Sequence, residues 1–318
     1  MAVFATAGGA SAGWLTSDAA RPAGQTAADA TPAGRAASSS KSAASRSGAA
    51  LSRSATASPT ALGSAPASAS ATGSGGTAGA AGSIEAELAG AVAAVEASSG
   101  ARLGVAVLAA GGAAPVSAGS WPTGHAWSTA KVPVAIAALA ADGSPANDAL
   151  AAAAITLSDN AAAEQLWTGL GDSDQAGSAV DAVLREAGSA TGVQRTRTRP
   201  EYTAFGQTTW SLADQAGFAA RFPGGQAADR VWALMDQIDS SQSWGLGRFA
   251  GAHFKGGWGP DDSGYVVRQF GQVPVASGCA AIAIGGWAPS FEAGTAALDG
   301  LAQALLALSD RLPAGPCR

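Results

Sequence analysis

Lysine is nearly missing from this chain. Three occur in 318 residues, Lys41, Lys131 and Lys255, while arginine supplies the other fifteen of the eighteen basic side chains. A sequence that uses arginine by default, yet keeps lysine at two places in its folded part, needs something there that arginine cannot do. Lysine gives up its proton when partly buried; arginine in practice does not. Cysteine and histidine are as scarce, with two of each. Two histidines, His125 and His253, without a third ligand do not make a metal site, so neither a metal nor another cofactor is expected. The two cysteines, Cys279 and Cys317, would be paired in an exported domain and ordinary thiols in a cytosolic one. Pairing is the expectation here.

The first 83 residues lack most of what a core is made from. They are largely Ala, Ser, Gly, Thr and Pro, with one Trp, one Phe and four Leu or Val that follow no period. Such a segment cannot bury enough apolar surface to offset its ordering entropy, and it reads as a disordered tail or tether. The tail carries a net +3 from Arg21, Arg35, Lys41, Arg46 and Arg53 against Asp18 and Asp29; the whole chain is −5, so the remainder carries −8. That balance argues against a nucleic-acid partner for the folded part. The basic tail could lie along an anionic wall polymer or membrane surface, although solvated disorder is the simpler reading. The opening MAVFATAGGASAGWL is mildly apolar, has no basic residue before it and is too short to span a bilayer. It fits the remnant of an export signal. Tether and cysteine pair together predict a secreted or cell-envelope location, and a monomer.

From Ile84 the character changes. About 235 residues, enough for one domain with a sizeable core, show apolar periodicity and regular turn punctuation. Helical spacing is read over 84–100, from Ser128 to Asp142, and over 147–157, 160–171, 175–188, 211–222, 226–238 and 292–312. Strands are read at 102–110, with a hairpin to PVSAGS, and at AHFKGGW, GYVVRQFGQV and CAAIAIGGW. Strands at both ends with helices between predict an α/β (α+β) fold. An antiparallel sheet flanked by helices is built from both ends of the domain (84–127 and 250–318), with an all-helical lobe inserted (128–249).

Three short stretches carry chemistry. In 124-GHAWSTAKVPV-134, Ser128 and Lys131 stand three apart at a helix start and share a face. The free N–H groups and dipole of that end favour a serine becoming an alkoxide, and an unprotonated lysine beside it can take the serine proton. A plain cap with a solvated lysine explains the same pair. In 156-TLSDNAAAEQLW-167, Ser158, Asp159 and Asn160 precede an apolar helix. They read as caps, or as a second hydroxyl for proton transfer and an amide that holds both Lys131 and substrate. In 253-HFKGGWG-259, Lys255 is followed by two glycines that would leave strand backbone open to a ligand, or mark a turn.

Together, in this order, the three resemble the motif set of the serine β-lactamase and penicillin-binding protein superfamily, and over 84–318 the chain is most similar to its class A β-lactamase branch. The resemblance implies that Ser128 is the acylated nucleophile and Lys131 the acylation base. Ser158 would relay protons and Asn160 position substrate. Lys255 would support the substrate carboxylate and the Ser158 proton path. The backbone N–H groups of Ser128 and Trp258, the latter following Gly257, would form the oxyanion hole. Glu201 would activate the deacylating water. The implied substrates are β-lactams or peptidoglycan stem peptides of D-Ala-D-Ala type.

The chain departs from the family in four ways. Gly256 replaces the usual Thr or Ser that helps hold the substrate carboxylate. About thirty residues separate Ser128 from Ser158, roughly half the family spacing, which predicts a more open cleft. Glu164 stands where the family has an Asn bracing the loop of the deacylating glutamate. That loop is short: Arg199-Pro200-Glu201 is followed after six residues by Thr208-Thr209, and an ordinary surface carboxylate suits Glu201 equally well. Trp127, Trp244 and Trp258 would line the cleft or fill the core. Arg268 would be a substitute carboxylate anchor or a structural arginine. A slow-turnover D,D-peptidase-like protein and a non-catalytic wall-associated homologue are the alternatives to a hydrolase.

Overall fold

The computed structural model describes the backbone of residues 75–318 and the side chains from Ile84 onward. The expected export-signal remnant and nearly all of the expected tail lie outside the described residues. The last nine positions assigned to the tail are helical instead: α1 runs Gly75–Ser99 rather than from Ile84. Starting a helix is costly and extending one is not. Leu88 and Val92, fully buried, fix α1 against the body of the protein, and the residues before them each extend it by one hydrogen bond. Among the described residues no helix is long and apolar enough to cross a membrane.

Five strands form one antiparallel sheet: β1 (Arg102–Ala109), β2 (Val116–Gly119), β5 (His253–Asp261), β6 (Gly264–Val275) and β7 (Gly278–Ala288). Their order is β2-β1-β7-β6-β5. β1 pairs with β7 from Arg102↔Trp287 to Ala109↔Ala280, so the two ends of the folded sequence meet in mid-sheet, as expected. Successive side chains on a strand point to opposite faces. Leu103, Val105, Val107, Ile282 and Ile284 therefore share a core with α1 and α8 (Phe291–Ala307), while Ala106, Leu108, Ala281 and Ala283 face the helices of the middle segment.

The middle segment contains α2 (Lys131–Ala141), α3 (Pro145–Thr156), α4 (Asn160–Gly169), α5 (Ser173–Glu186), α6 (Leu212–Ala220) and α7 (Gln226–Met235). Residues 131–139 of α2 are all buried, the pattern of a helix surrounded by others. Caps set the boundaries. The Ser144 hydroxyl accepts from Asn147 N with Pro145 at the first helical position, and Asp172 with Gln175 closes a capping box on α5. Two features differ from expectation. Trp244, Leu246 and Phe249, placed with the helical lobe, belong to the core shared with α1 and α8. A second ribbon, β3 (Thr123–His125) with β4 (Thr209–Ser211), pairs His125 with Thr209 just ahead of α2. Strands of three residues are too short to show a period.

Cys279 and Cys317 form a disulfide with their Cα atoms 4.9 Å apart. The C-terminal segment it holds also exchanges backbone hydrogen bonds between Gly315 and Cys279, at 2.8 and 2.9 Å.

Candidate active site

Between β3 and α2 the chain makes one 3-10 turn, Trp127–Ala130, that carries Ser128. Residues three apart eclipse one another in such a turn, which puts Ser128 and Lys131 on one side. Lys131 opens α2 and is buried. Its ammonium has three N–H groups, and all three have partners: Asn160 Oδ1 at 2.8 Å, Ser158 Oγ at 3.3 Å and the Ser158 carbonyl. Among the described residues no hydrogen bond joins it to the Ser128 hydroxyl.

Lys255, fully buried on β5, donates to Ser158 Oγ and to the Gly256 carbonyl, both at 3.0 Å. Two lysines thus converge on one hydroxyl. Neither has a carboxylate among these partners: Asp159 spends its side chain capping α4, accepting from Ala162 N at 2.7 Å. Burial pulls the Lys131 pKa down to about 7, against the opposing charge of Asp159. Burial lowers Lys255 well below the ordinary lysine range, and the charge of Lys131 lowers it further. The Ser-Asp-Asn stretch therefore divides. Asp159 is the cap, and Ser158 and Asn160 turn to the lysines.

Among the described residues, Trp127 and Ser158 are the two non-glycine residues in the left-handed backbone region, with φ of 49° and 59°. Such conformations cost of order 1–3 kcal/mol each and gather at functional sites. Here one directly precedes Ser128 and the other is the shared lysine partner.

β5 is the edge strand of the sheet, so one row of its N–H and C=O groups is open to a ligand. Gly257 lets that edge approach the 3-10 turn. A Cβ on Gly257 would lie 2.7 Å from Ala126 O and 2.9 Å from Ser128 N, closer than side chains tolerate. Ser128 N and the strand that leads into Trp258 are side by side for that reason. Gly256 is different: a Cβ there would come no nearer than 3.4 Å, to Trp244, so packing does not demand glycine.

Glu201 stands outside this cluster. It lies on a turn, 57% exposed, with Oε1 3.6 Å from Arg199 Nε. The loop around it is tied down by groups whose roles the sequence did not disclose. Gln207, buried, accepts from Thr198 Oγ1 (2.5 Å) and Arg199 N (2.8 Å) and donates to the carbonyls of Arg199, Tyr202 and Thr203 at 3.0–3.2 Å. Glu164 on α4 pairs with Arg197 at 2.5 Å, and Arg197 donates to Pro200 O at 3.4 Å. The brace from α4 to the loop is thus present as an ion pair in place of an amide. Arg199 stacks on Tyr202 at 4.4 Å and donates to Pro260 O of β5 at 2.8 Å. A lone glutamine before Thr208-Thr209 was the available sequence signal for this clamp.

Arg268 is buried with every N–H donating to a protein acceptor, which leaves none for a substrate carboxylate and makes it the structural arginine. Trp127 and Trp244 are buried as well, and Trp258 is half-buried against Phe291. His125 and His253 each hold a backbone carbonyl, of Gln207 and Trp232, at 3.0 Å.

No protein-family model and no curated protein matches the chain. Solved structures do. A β-lactamase from Sphaerobacter thermophilus is 21% identical over 72% of this chain and 98% of its own, with a TM-score of 0.54. One from Burkholderia vietnamiensis is 19% identical over 70% and 96%, TM-score 0.56. A class A β-lactamase from Mycobacterium abscessus is 16% identical over 69% and 98%, TM-score 0.55.

Proposed function

From a chain with the class A β-lactamase fold, we propose a serine hydrolase that works through an acyl-enzyme on Ser128, acting on β-lactams or on amides of D-Ala-D-Ala type. The observation that carries this reading is the pair of buried lysines meeting on the Ser158 hydroxyl without a carboxylate among their hydrogen-bond partners. A buried, unpaired ammonium is so costly that it tends to neutralise. Two of them side by side suit a site that takes up a proton and hands it on.

In the neutral form Lys131 keeps two N–H groups, enough for Asn160 Oδ1 and the Ser158 carbonyl, its two shorter bonds. The longer bond to Ser158 Oγ is the one surrendered, and the lone pair left on that side takes the Ser128 proton once the Ser128 hydroxyl turns to it. Ser128 Oγ then attacks the amide carbon. The Ser128 and Trp258 N–H groups stabilise the oxyanion. As the C–N bond breaks, the proton passes from Lys131 through Ser158 to the leaving nitrogen. Asn160 positions the substrate, and Lys255 supports its carboxylate and the proton path.

The exposure of Glu201 favours a second reading for the later step, a D,D-peptidase-like protein whose acyl-enzyme is long-lived. A carboxylate mostly in water and facing an arginine is a poor base for a water beside the ester. The disulfide supports an extracytoplasmic location, where a monomer would meet stem peptides and β-lactams.

Intact mass after incubation with a simple penicillin tests the proposal. A lasting adduct on Ser128 supports the slow form, and rapid loss of drug without adduct supports efficient hydrolysis. Neither adduct nor drug loss would leave a non-catalytic wall-associated homologue.

A further inference from the structure

Arg268 is an arginine in the interior of the protein with no carboxylate among its hydrogen-bond partners. All five of its N–H groups are used. Nε and Nη2 donate to Gln215 Oε1 at 3.2 and 2.6 Å, and Nη2 also to Trp210 O at 2.8 Å. Nη1 donates to Gly124 O and His125 O at 2.8 and 3.0 Å. Trp121 covers the guanidinium at 5.4 Å. Burial without a counter-charge pulls its pKa down to about 9, so it stays charged at neutral pH. A buried cation without a carboxylate partner is costly to desolvate. The acceptors indicate what the arrangement is for.

Gly124 and His125 are on β3, and Trp210 is on β4. One guanidinium therefore bolts both strands of the small ribbon to the main sheet, and that ribbon leads directly into the turn of Ser128. The Gln215 amide continues the chain. Its Nε2 donates to Thr129 Oγ1 at 2.8 Å, and Thr129 Oγ1 donates to Ala126 O at 2.5 Å. Gln215 and Thr129 are both fully buried. Thr129 directly follows Ser128, and Ala126 and Thr129 bracket the left-handed Trp127. Arg268 lies opposite Gly257 in the β5–β6 ladder. At one level of the sheet, an absent side chain admits the turn and a guanidinium on the next strand holds it.

We propose that Arg268, Gln215 and Thr129 form a positioning relay that fixes the Trp127-Ser128 turn against β5 and so sets Ser128 Oγ and both oxyanion donors before substrate arrives. The relay rests on the reading of Ser128 as nucleophile. It acts on acylation, because strain held in the turn is useful only if the turn cannot relax.

Two measurements on the full chain test it. Thr129→Val removes the hydroxyl at the end of the Gln215–Thr129 link, and Gln215→Glu reverses the link, drawing the Thr129 hydroxyl from the Ala126 carbonyl to the new carboxylate while Arg268 keeps its acceptor. Amide hydrogen exchange in 124–131 should rise about tenfold in each, with β7 and α8 as in the wild type; Thr129→Ser should match the wild type. The limiting rate of Ser128 acylation by a simple penicillin should fall about tenfold with half-saturation unchanged, and Thr129→Ser should restore it. Unchanged exchange in both variants overturns the relay, as does raised exchange with acylation unaltered. If the wild-type chain is never acylated, the proposed function falls, and the exchange result alone then decides whether the turn is held this way.

Discussion

Lys131 can serve as a base only if its proton leaves near the working pH, and its burial arranges that. With a pKa of about 7, the limiting rate of Ser128 acylation should rise with pH through a single step near 7 and level off above it. Lys131→Arg, which keeps a charge that cannot be shed, should abolish labelling at every pH. Stopped-flow acylation across pH 5–9 reads this directly, and a flat profile in the wild type would remove Lys131 as the base. Stability carries the same sign. The unfolded lysine keeps its proton to about 10.5 and the folded one releases it near 7. Between those values the unfolded chain binds more protons, so stability should climb with pH, and Lys131→Met should flatten that slope. Glu201 gives the complementary residue test. If it were the deacylating base, Glu201→Gln would prolong the acyl-enzyme without slowing its formation. With its carboxylate exposed and facing Arg199, the expected result is an unchanged acyl-enzyme lifetime, measured by intact mass over time.

Elements explain why the site was partly readable in the sequence. α2, α3, α4, β1 and the β5–β7 meander came through because each carries a period or punctuation strong enough to be read locally, and the three motifs ride on their ends. The β3–β4 ribbon did not, because its pairing partners are far apart in sequence and its strands are three residues each. The loop 198–203 was legible only in part for a related reason. Glu164 in place of an amide marked one support as altered, but the Glu164–Arg197 pair and the Gln207 clamp that hold the loop by other chemistry have no local signature. Removing the clamp should be costly. Gln207→Leu leaves Arg199 N and several carbonyls without their partner, and an unsatisfied buried group costs about 1–3 kcal/mol. Hydrogen exchange should localise the loosening to 198–203, and acylation should be spared, since Lys131, Ser158 and Lys255 do not touch Gln207. Acylation falling as far as stability would show that the loop and the lysine cluster are one cooperative unit.

At the scale of the whole molecule, two long-range closures decide whether these elements form a site. One is the pairing of β1 with β7, which was legible because strands occur at both ends of the folded sequence. The other is the C-terminal segment after α8. Its cysteine pairing was legible from count and context, but its remaining anchors were not: Arg318 donates to Phe222 O at 3.0 Å, Pro223 O at 2.7 Å and Asp229 at 2.7 Å, a set no spacing rule announces. The Cys279–Cys317 bond closes a loop of 38 residues. On the chain-entropy account that stabilises the folded state by roughly 3–4 kcal/mol, or about 10 °C in Tm for a domain of this size. Reduction, or Cys279→Ala with Cys317→Ala, should lower Tm by about that much. The Arg318 contacts and the Gly315 bridge keep the segment in place at lower temperature, so the fold should persist. The lysine cluster lies on α2, α4 and β5, none of which contains either cysteine, and the reduced protein should therefore acylate at the wild-type rate below its melting point. Calorimetry with and without reductant, beside free-thiol titration of the unfolded chain, measures the first claim, and penicillin labelling of the reduced protein measures the second. An unchanged Tm would mean that the sheet and α8 hold the C-terminus without the covalent bond. Loss of labelling at full fold would mean that β7 transmits the state of Cys279 to the site.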